Sequence, residues 1–290
     1  RATGYLFRSP AYLLRLFAQY ADARGDEVIR TETILEWAAQ APTAGTCRGR
    51  LHTLRRFARL MQAEDPRHEI PPPDVFGPRP PRREPYLFQG QEICALLDAA
   101  NALGPPRSIR SKTYATLFGL IASTGLRVSE AIALKMKDIT VDGLVIRETK
   151  FRKNRLVVLH STTRQALMDY LAVRAKFVAF DTSVFLSSRG TGLAYSTIIT
   201  VFLRLVRKIG IHSEPGKKGP RIHDLRHTFA VRSLERCSGN REAVARHMQA
   251  LSTYLGHTHL SDTYWYLQAT PRLLTEVATQ SEALATGETP

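Results

Sequence analysis

Leu13, Leu14 and Phe17 recur at helical spacing, and Ser9-Pro10 just before them reads as a helix start, with a capping serine and a first-turn proline. Ile34, Leu35 and Trp37 predict a second helix opening after Thr31. A third spans about Gly45 to Met61, with Leu51, Leu54, Ala58 and Met61 in one apolar stripe. Arg48, His52, Arg55, Arg56 and Arg59 fall largely off that stripe, so this helix has a buried side and a basic side. A basic side suits the backbone of DNA, although an ordinary solvated helix face carries the same pattern.

The periodicity breaks between Asp65 and Pro85, where half of the 16 prolines stand. Proline lacks the backbone donor that helices and central strands need, so this stretch is expected to be a semi-rigid extended linker. Arg79, Arg82 and Arg83 make it basic. The chain is thereby expected to divide into a small helical domain (1–65), a linker (66–86) and a larger domain (87–290).

Beyond the linker, Ile93, Leu96, Leu97 and Ala100 predict a helix from Gly90 to Ala100. Leu117, Leu120 and Ile121 mark another from Ser111 to Ser123, closing at Thr124-Gly125, where glycine can take the left-handed conformation. Ser129-Glu130 opens the next helix, which fixes Arg127 between two buried elements. After the turn signal Val141-Asp142-Gly143, the runs 144–148 and 155–159 read as the strands of a β-hairpin. Its tip is basic through Lys150, Arg152 and Lys153. Helices are expected over 162–175 and 194–209, with a brief apolar run at Val184-Phe185-Leu186 between them. Lys217 and Lys218 lie in a glycine-bounded basic loop. The expected class is therefore mainly α, with one small antiparallel β-sheet.

Composition narrows the function. Lysine and arginine number 41 against 26 aspartates and glutamates, a net charge of +15, which suits a polyanionic partner and above all nucleic acid. Cys47, Cys94 and Cys237 are scattered and odd in number, which fits a reducing compartment and neither a disulfide frame nor a zinc site. No apolar run approaches the roughly 18–20 residues that span a bilayer, and no signal peptide is visible. A cytoplasmic, nucleoid-associated bacterial protein is expected, and a first residue of Arg1 reads as a missing N-terminal piece. No phosphate-binding loop ending in Gly-Lys-Ser/Thr occurs, so no ATP is expected.

The candidate chemistry centres on 221–266. His223 and Arg226 are three apart and share a face if a helix begins near Asp224. With Arg127 and His257 they make two cations and two imidazoles able to surround one phosphate. In-line phosphoryl transfer needs donors on the non-bridging oxygens, a nucleophile, and an acid for the leaving oxygen. A tyrosine can be the nucleophile if nearby cations or a base help it ionise, and Lys150 at the hairpin tip can supply the acid. Tyr264 and Tyr266 compete. Leu260, Tyr264 and Leu267 fall on one helical stripe, so Tyr264 is expected to be buried and Tyr266, on the side of Asp262 and Thr263, to offer the open hydroxyl. Trp265 is expected in the core. His257 and His259 have a metal-like spacing without a third ligand, so no metal is expected.

The segments Ser123-Thr124-Gly125-Leu126-Arg127-Val128-Ser129-Glu130, Lys150 in its hairpin, His223-Asp224-Leu225-Arg226-His227-Thr228-Phe229-Ala230, Leu255-Gly256-His257 and Tyr266 follow one another as in tyrosine recombinases of the phage integrase and Xer type, and the chain resembles that family. The resemblance implies that Arg127 and Arg226 hold the scissile phosphate, Lys150 protonates the leaving 5′ oxygen, and His223 acts as acid or base. It further implies that His257 supports the phosphate, Tyr266 forms a 3′-phosphotyrosine link, and Glu130 steadies the set from behind. A core-DNA-binding domain before a catalytic domain is implied too, with no metal, ATP or other cofactor. The implied partners are double-stranded DNA with inverted-repeat core sites and three further protomers, identical or related, on two sites passing through a Holliday junction. The tail, about 272–290, would dock on a neighbour.

One departure is a longer span between Arg226 and His257, with an insertion near 236–246 around Ser238. The sequence from Ser252 to Tyr266 resembles recombinases borne by transposable elements more than dimer resolvases. Two rivals remain open at this stage: a type IB topoisomerase-like enzyme that only relaxes DNA, and a DNA-binding regulator that has lost catalysis.

Overall fold

In the N-terminal unit, 1–83, three helices enclose a small core. The computed structural model describes residues 8–80, 83–105, 108–147, 154–211, 219–237, 241–257, 259 and 261–268, leaving aside the side chains at 8, 241, 265, 267 and 268. Helices α1 (Arg8–Asp22), α2 (Thr31–Ala39) and α3 (Ala44–Glu64) bury Phe17, Ile34, Trp37, Leu51, Leu54 and Ala58 together. Thr43 caps α3 by accepting from the Thr46 N–H at 3.2 Å. Phe17 meets Trp37 edge to face, with centroids 5.7 Å apart. Arg50 lies 4.3 Å over the Trp37 ring and donates to the Trp37 carbonyl at 2.8 Å.

The first half of the proline-rich stretch is tied to this unit. His68 Nδ1 accepts from Ile29 N–H at 2.9 Å, Glu69 N–H donates to Ile29 O at 2.8 Å, and Glu69 Oε2 accepts from Thr31 N–H at 2.7 Å. Arg55 donates to Pro71 O at 2.7 Å and Arg48 to Phe76 O at 3.1 Å. Prolines have no N–H to pair but keep their carbonyls, and arginines of α3 satisfy part of that need.

The second unit, 84–290, is built around α5 (Ile109–Thr124), whose Leu117, Phe118, Leu120 and Ile121 are almost wholly buried. Along it only Lys112 and Ser123 are exposed, which puts this helix at the centre of the unit. Packed around or near it are α4 (Gly90–Asn101), α6 (Val128–Ala133), α7 (Ser161–Arg174), α8 (Tyr195–Lys208) and α9 (His223–Glu235). Phe88 and Phe118 both meet Phe202 of α8 edge to face. Strands β1 (Leu144–Ile146) and β2 (Arg155–Val157) pair antiparallel, Leu144 with Val157 and Ile146 with Arg155. Helices α10 (Arg241–Leu255) and α11 (Ser261–Gln268) close the described part of the unit against α9.

The described residues thus hold eleven α-helices and one two-stranded antiparallel sheet, the mainly α class that the hydrophobic pattern predicts. The strands are three residues long, shorter than their apolar runs suggest. Among the described residues no helix is long and apolar enough to cross a membrane.

Candidate active site

The site gathers at helix ends. Helix α5 stops at Gly125, whose φ of +64° is open to glycine at little cost. The Gly125 carbonyl then accepts from Arg226 Nη1 at 2.6 Å. Arg127 caps α6, and Glu130 in the first turn of that helix accepts from the Arg127 N–H at 2.9 Å and from Nη1 at 2.7 Å. Helix α9 begins at His223 because the buried Asp224 carboxylate takes the Arg221 N–H at 2.7 Å and the Arg221 guanidinium at 2.9 Å. Arg226, one turn in, is 1% exposed and therefore can hold its charge only with partners in place.

Those partners come from the end of α10. Arg226 Nη2 donates to Leu255 O at 2.8 Å and to His257 Nε2 at 3.0 Å. Arginine has no lone pair to offer, so the imidazole accepts, and in its neutral form it carries its proton on Nδ1. Nδ1 lies 2.7 Å from Thr263 Oγ1 in α11. The ring of Tyr266 stacks near His257, with centroids 6.0 Å apart, and sits 5.4 Å from His227, which itself is 4.6 Å from His223. Arg127 Nη2 reaches Gly256 O at 3.0 Å. Arg127, His223, Arg226, His257 and Tyr266 therefore converge, although the chain separates the first from the last by well over a hundred positions.

Electrostatics follow from this crowding. Burial lowers Arg226 most, Arg127 lowers it further, and Tyr266 and Glu130 oppose the fall, leaving a pKa of about 10 and a permanent cation. His223 is pushed down to about 4, first by the protein around it and then by the charge of Arg226. The residue as a whole is exposed to solvent. It is accordingly a neutral imidazole at pH 7 in the DNA-free protein. Burial would raise Glu130, but the hydrogen bonds and charge of Arg155, with those of Arg127, hold it down to about 2.

Arg155 is the residue that the sequence reading passes over as a strand start. It lies in β2, with a side chain 11% exposed, and grips both oxygens of Glu130 at 3.0 and 2.8 Å. Its Nε donates to Tyr254 O at 2.9 Å. An arginine at the loop end of a hairpin strand, with a single glutamate in the neighbouring arginine motif, is the trace of this pairing in the sequence.

The two tyrosines are placed the other way round from the expectation. Tyr264 is 53% exposed and Tyr266 only 2%. The stripe that assigned Tyr264 to the core started from Leu260, which precedes the helix, since α11 begins at Ser261. The buried face is instead Thr263 and Tyr266, one turn apart, and it is fixed by the Thr263–His257 contact. Tyr266 does share a side with Thr263, but that side faces inward to the arginines.

Of the candidate DNA contacts, His52, Arg56 and Arg59 are exposed on α3, while Arg48 and Arg55 are half-buried on the carbonyls of 71–76, and Arg83 is half-buried. Lys150, Arg82, Arg152, Lys153, Lys217, Lys218, the turn at Ser238, the side chain of Trp265 and the tail at 272–290 lie outside the described residues. No cluster of three metal-ligand side chains occurs among the described residues, and both ring nitrogens of His257 are engaged by Arg226 and Thr263.

The model of the phage integrase family matches residues 87–272. A Sinorhizobium fredii (strain NBRC 101917 / NGR234) protein, y4rB, whose name carries the words integrase and recombinase, is 39% identical over 293 residues, which cover 97% of this chain and 93% of the relative. The structure of the XerH site-specific recombinase bound to palindromic difH substrate, a post-cleavage complex, superposes with a TM-score of 0.63 at 18% identity, covering 93% of this chain and 72% of XerH. A lambda integrase tetramer bound to a Holliday junction gives 0.58 at 19% identity, covering 86% and 70%. Both structural likenesses establish a shared fold.

Proposed function

The chain belongs to the phage integrase family, and on that premise we propose that it recombines DNA at specific sites with Tyr266 as nucleophile. The observation that supports this most is the convergence of two arginines, two histidines and one inward-facing tyrosine. Arg127 and Arg226 neutralise the non-bridging oxygens of the scissile phosphate, in a pocket where fixed donors act more strongly than in water. Neutral His223 accepts the Tyr266 proton, and the phenolate oxygen attacks phosphorus in line. The P–O5′ bond breaks, a 3′-phosphotyrosine forms, and Lys150 donates a proton to the departing 5′ oxygen. Attack by a 5′ hydroxyl of the second duplex reverses these steps with exchanged strands. No metal or nucleotide is required, because the phosphotyrosine keeps the energy of the diester. His257 holds the Arg226 fork and, through Thr263, the helix that carries Tyr266.

The substrate is double-stranded DNA with inverted core sites inside a bacterial cell, bound by a tetramer across two duplexes. The lambda integrase tetramer on a Holliday junction supports that assembly as a template. The test uses nicked duplexes built from the inverted repeats that flank the gene. Wild type and Tyr264→Phe should become covalently joined to DNA, and Tyr266→Phe should bind without joining. An adduct in Tyr266→Phe overturns the nucleophile assignment. Failure of wild type to join any flanking DNA favours a binding regulator, and relaxation without two-site products favours a topoisomerase.

A further inference from the structure

Arg127 is held by two groups, the Glu130 carboxylate and the Gly256 carbonyl. Arg155 lies against both. Its Nη1 and Nη2 take the two oxygens of Glu130, and its Nε takes Tyr254 O in the last turn of α10. Gly256 leaves the room this needs: a Cβ there would stand 2.7 Å from Arg155 Nη1 and 3.0 Å from Cζ. All three Arg155 nitrogens have protein acceptors, and two of those acceptors are the oxygens of one carboxylate.

We propose that Arg155 is a positioning residue for phosphate recognition, clamping Glu130 and the 254–256 turn so that both anchors of Arg127 are fixed before DNA arrives. This rests on the reading of Arg127 as a phosphate-holding residue. A planar fork is required, because three acceptors around one guanidinium cannot all be met by the point charge of a lysine. Two anchors behind one arginine also predict strong coupling: once Arg127 is gone, Arg155 has nothing left to position.

The experiment is a double-mutant cycle on single-turnover adduct formation, with the nicked flanking-repeat duplex that wild type joins. Arg155→Lys should slow joining by about tenfold or more, in the range seen when oriented donors are disturbed, with DNA binding unchanged. In an Arg127→Ala background the same change should cost less than about twofold. An equal loss in both backgrounds overturns the proposal. So does recovery of Arg155→Lys on a duplex with sulfur at the 5′ bridging position, which needs no acid and would place the defect at the leaving group. If Arg155→Lys does not fold, Glu130→Gln replaces it in the same cycle: a loss confined to the Arg127 background supports the clamp, and an equal loss in both overturns it. Full activity of Arg127→Ala would overturn the underlying site reading as well, and so is distinguishable from failure of the Arg155 step alone.

Discussion

Replacing Gly256 by alanine tests how tightly the turn behind Arg127 is built. Gly256 has φ +67°, and its new Cβ would lie 2.7 Å from Arg155 Nη1. The left-handed backbone alone costs an L-residue about 1–2 kcal/mol. The guanidinium cannot swing aside freely, because it is bound to Glu130 and Tyr254 O. Weakening one charge-assisted hydrogen bond adds roughly 1.5–3 kcal/mol. Gly210→Ala is the matched control: its φ is +82°, and nothing stands within 4 Å of a Cβ there. It should show only the backbone cost, and the loss of unfolded-chain freedom is common to both. Urea unfolding should therefore separate the variants by about 2 kcal/mol, the share of Arg155 displacement. Adduct formation should fall about tenfold or more in Gly256→Ala and stay near wild type in Gly210→Ala. Equal stability losses with unimpaired joining in both would refute the reasoning.

Four other outcomes are expected. Glu130 titrates near 2 when folded, below its ordinary 4.5, so the unfolded chain takes the proton first. The stability it provides is complete above about pH 4.5 and lost towards pH 2, up to roughly 3 kcal/mol, and Glu130→Gln should flatten acid unfolding curves in that window. Because His223 is held neutral down to about pH 4, the acid limb of the second-order joining rate should lie below the ordinary imidazole value of 6.5; a limb at 6.5 or above contradicts this lowering. Thr228 is buried and takes the Phe88 N–H at 2.9 Å while donating to Asp224 O at 2.8 Å, so Thr228→Val should cost about 1–3 kcal/mol in urea without changing joining per folded molecule. DNA affinity should fall linearly with the logarithm of salt, at about 0.9 per phosphate neutralised, and a flat response would remove the basic-clamp picture.

The helices up to α8 are largely legible in the sequence because most of them bury a stripe at their own period. Leu117, Leu120 and Ile121 are the core of α5, and Leu51, Leu54 and Ala58 that of α3. Gly125 is legible for a local reason, since a helix that must stop needs a left-handed residue. The order of the site motifs is legible as well. What fails is a count that begins outside the helix, which exchanges the surroundings of Tyr264 and Tyr266. Arg155 escapes because its meaning depends on a carboxylate 25 positions away, and no local spacing records a pairing made by tertiary packing. Arg48 and Arg55 read as free cations by composition alone, yet each also serves a carbonyl of the following segment. Periodicity reports burial of helix faces and is silent about which polar atoms meet.

Helices α9 and α10 share one further consequence. The first starts at the site with His223 and the second finishes there with Leu255, over 13 and 15 residues. At about 1.5 Å per residue, each is a strut of roughly 20 Å. Contacts between Ser233 and His247 and between Cys237 and Ala243 show the two running side by side in opposite directions. Glu235, where α9 ends, and Arg241, where α10 begins, therefore lie at the far end, about two nanometres from His223 and Leu255. Arg236, Cys237 and the first turns of α10 interrupt the order of the site motifs along the chain, yet they stand apart from the site in space.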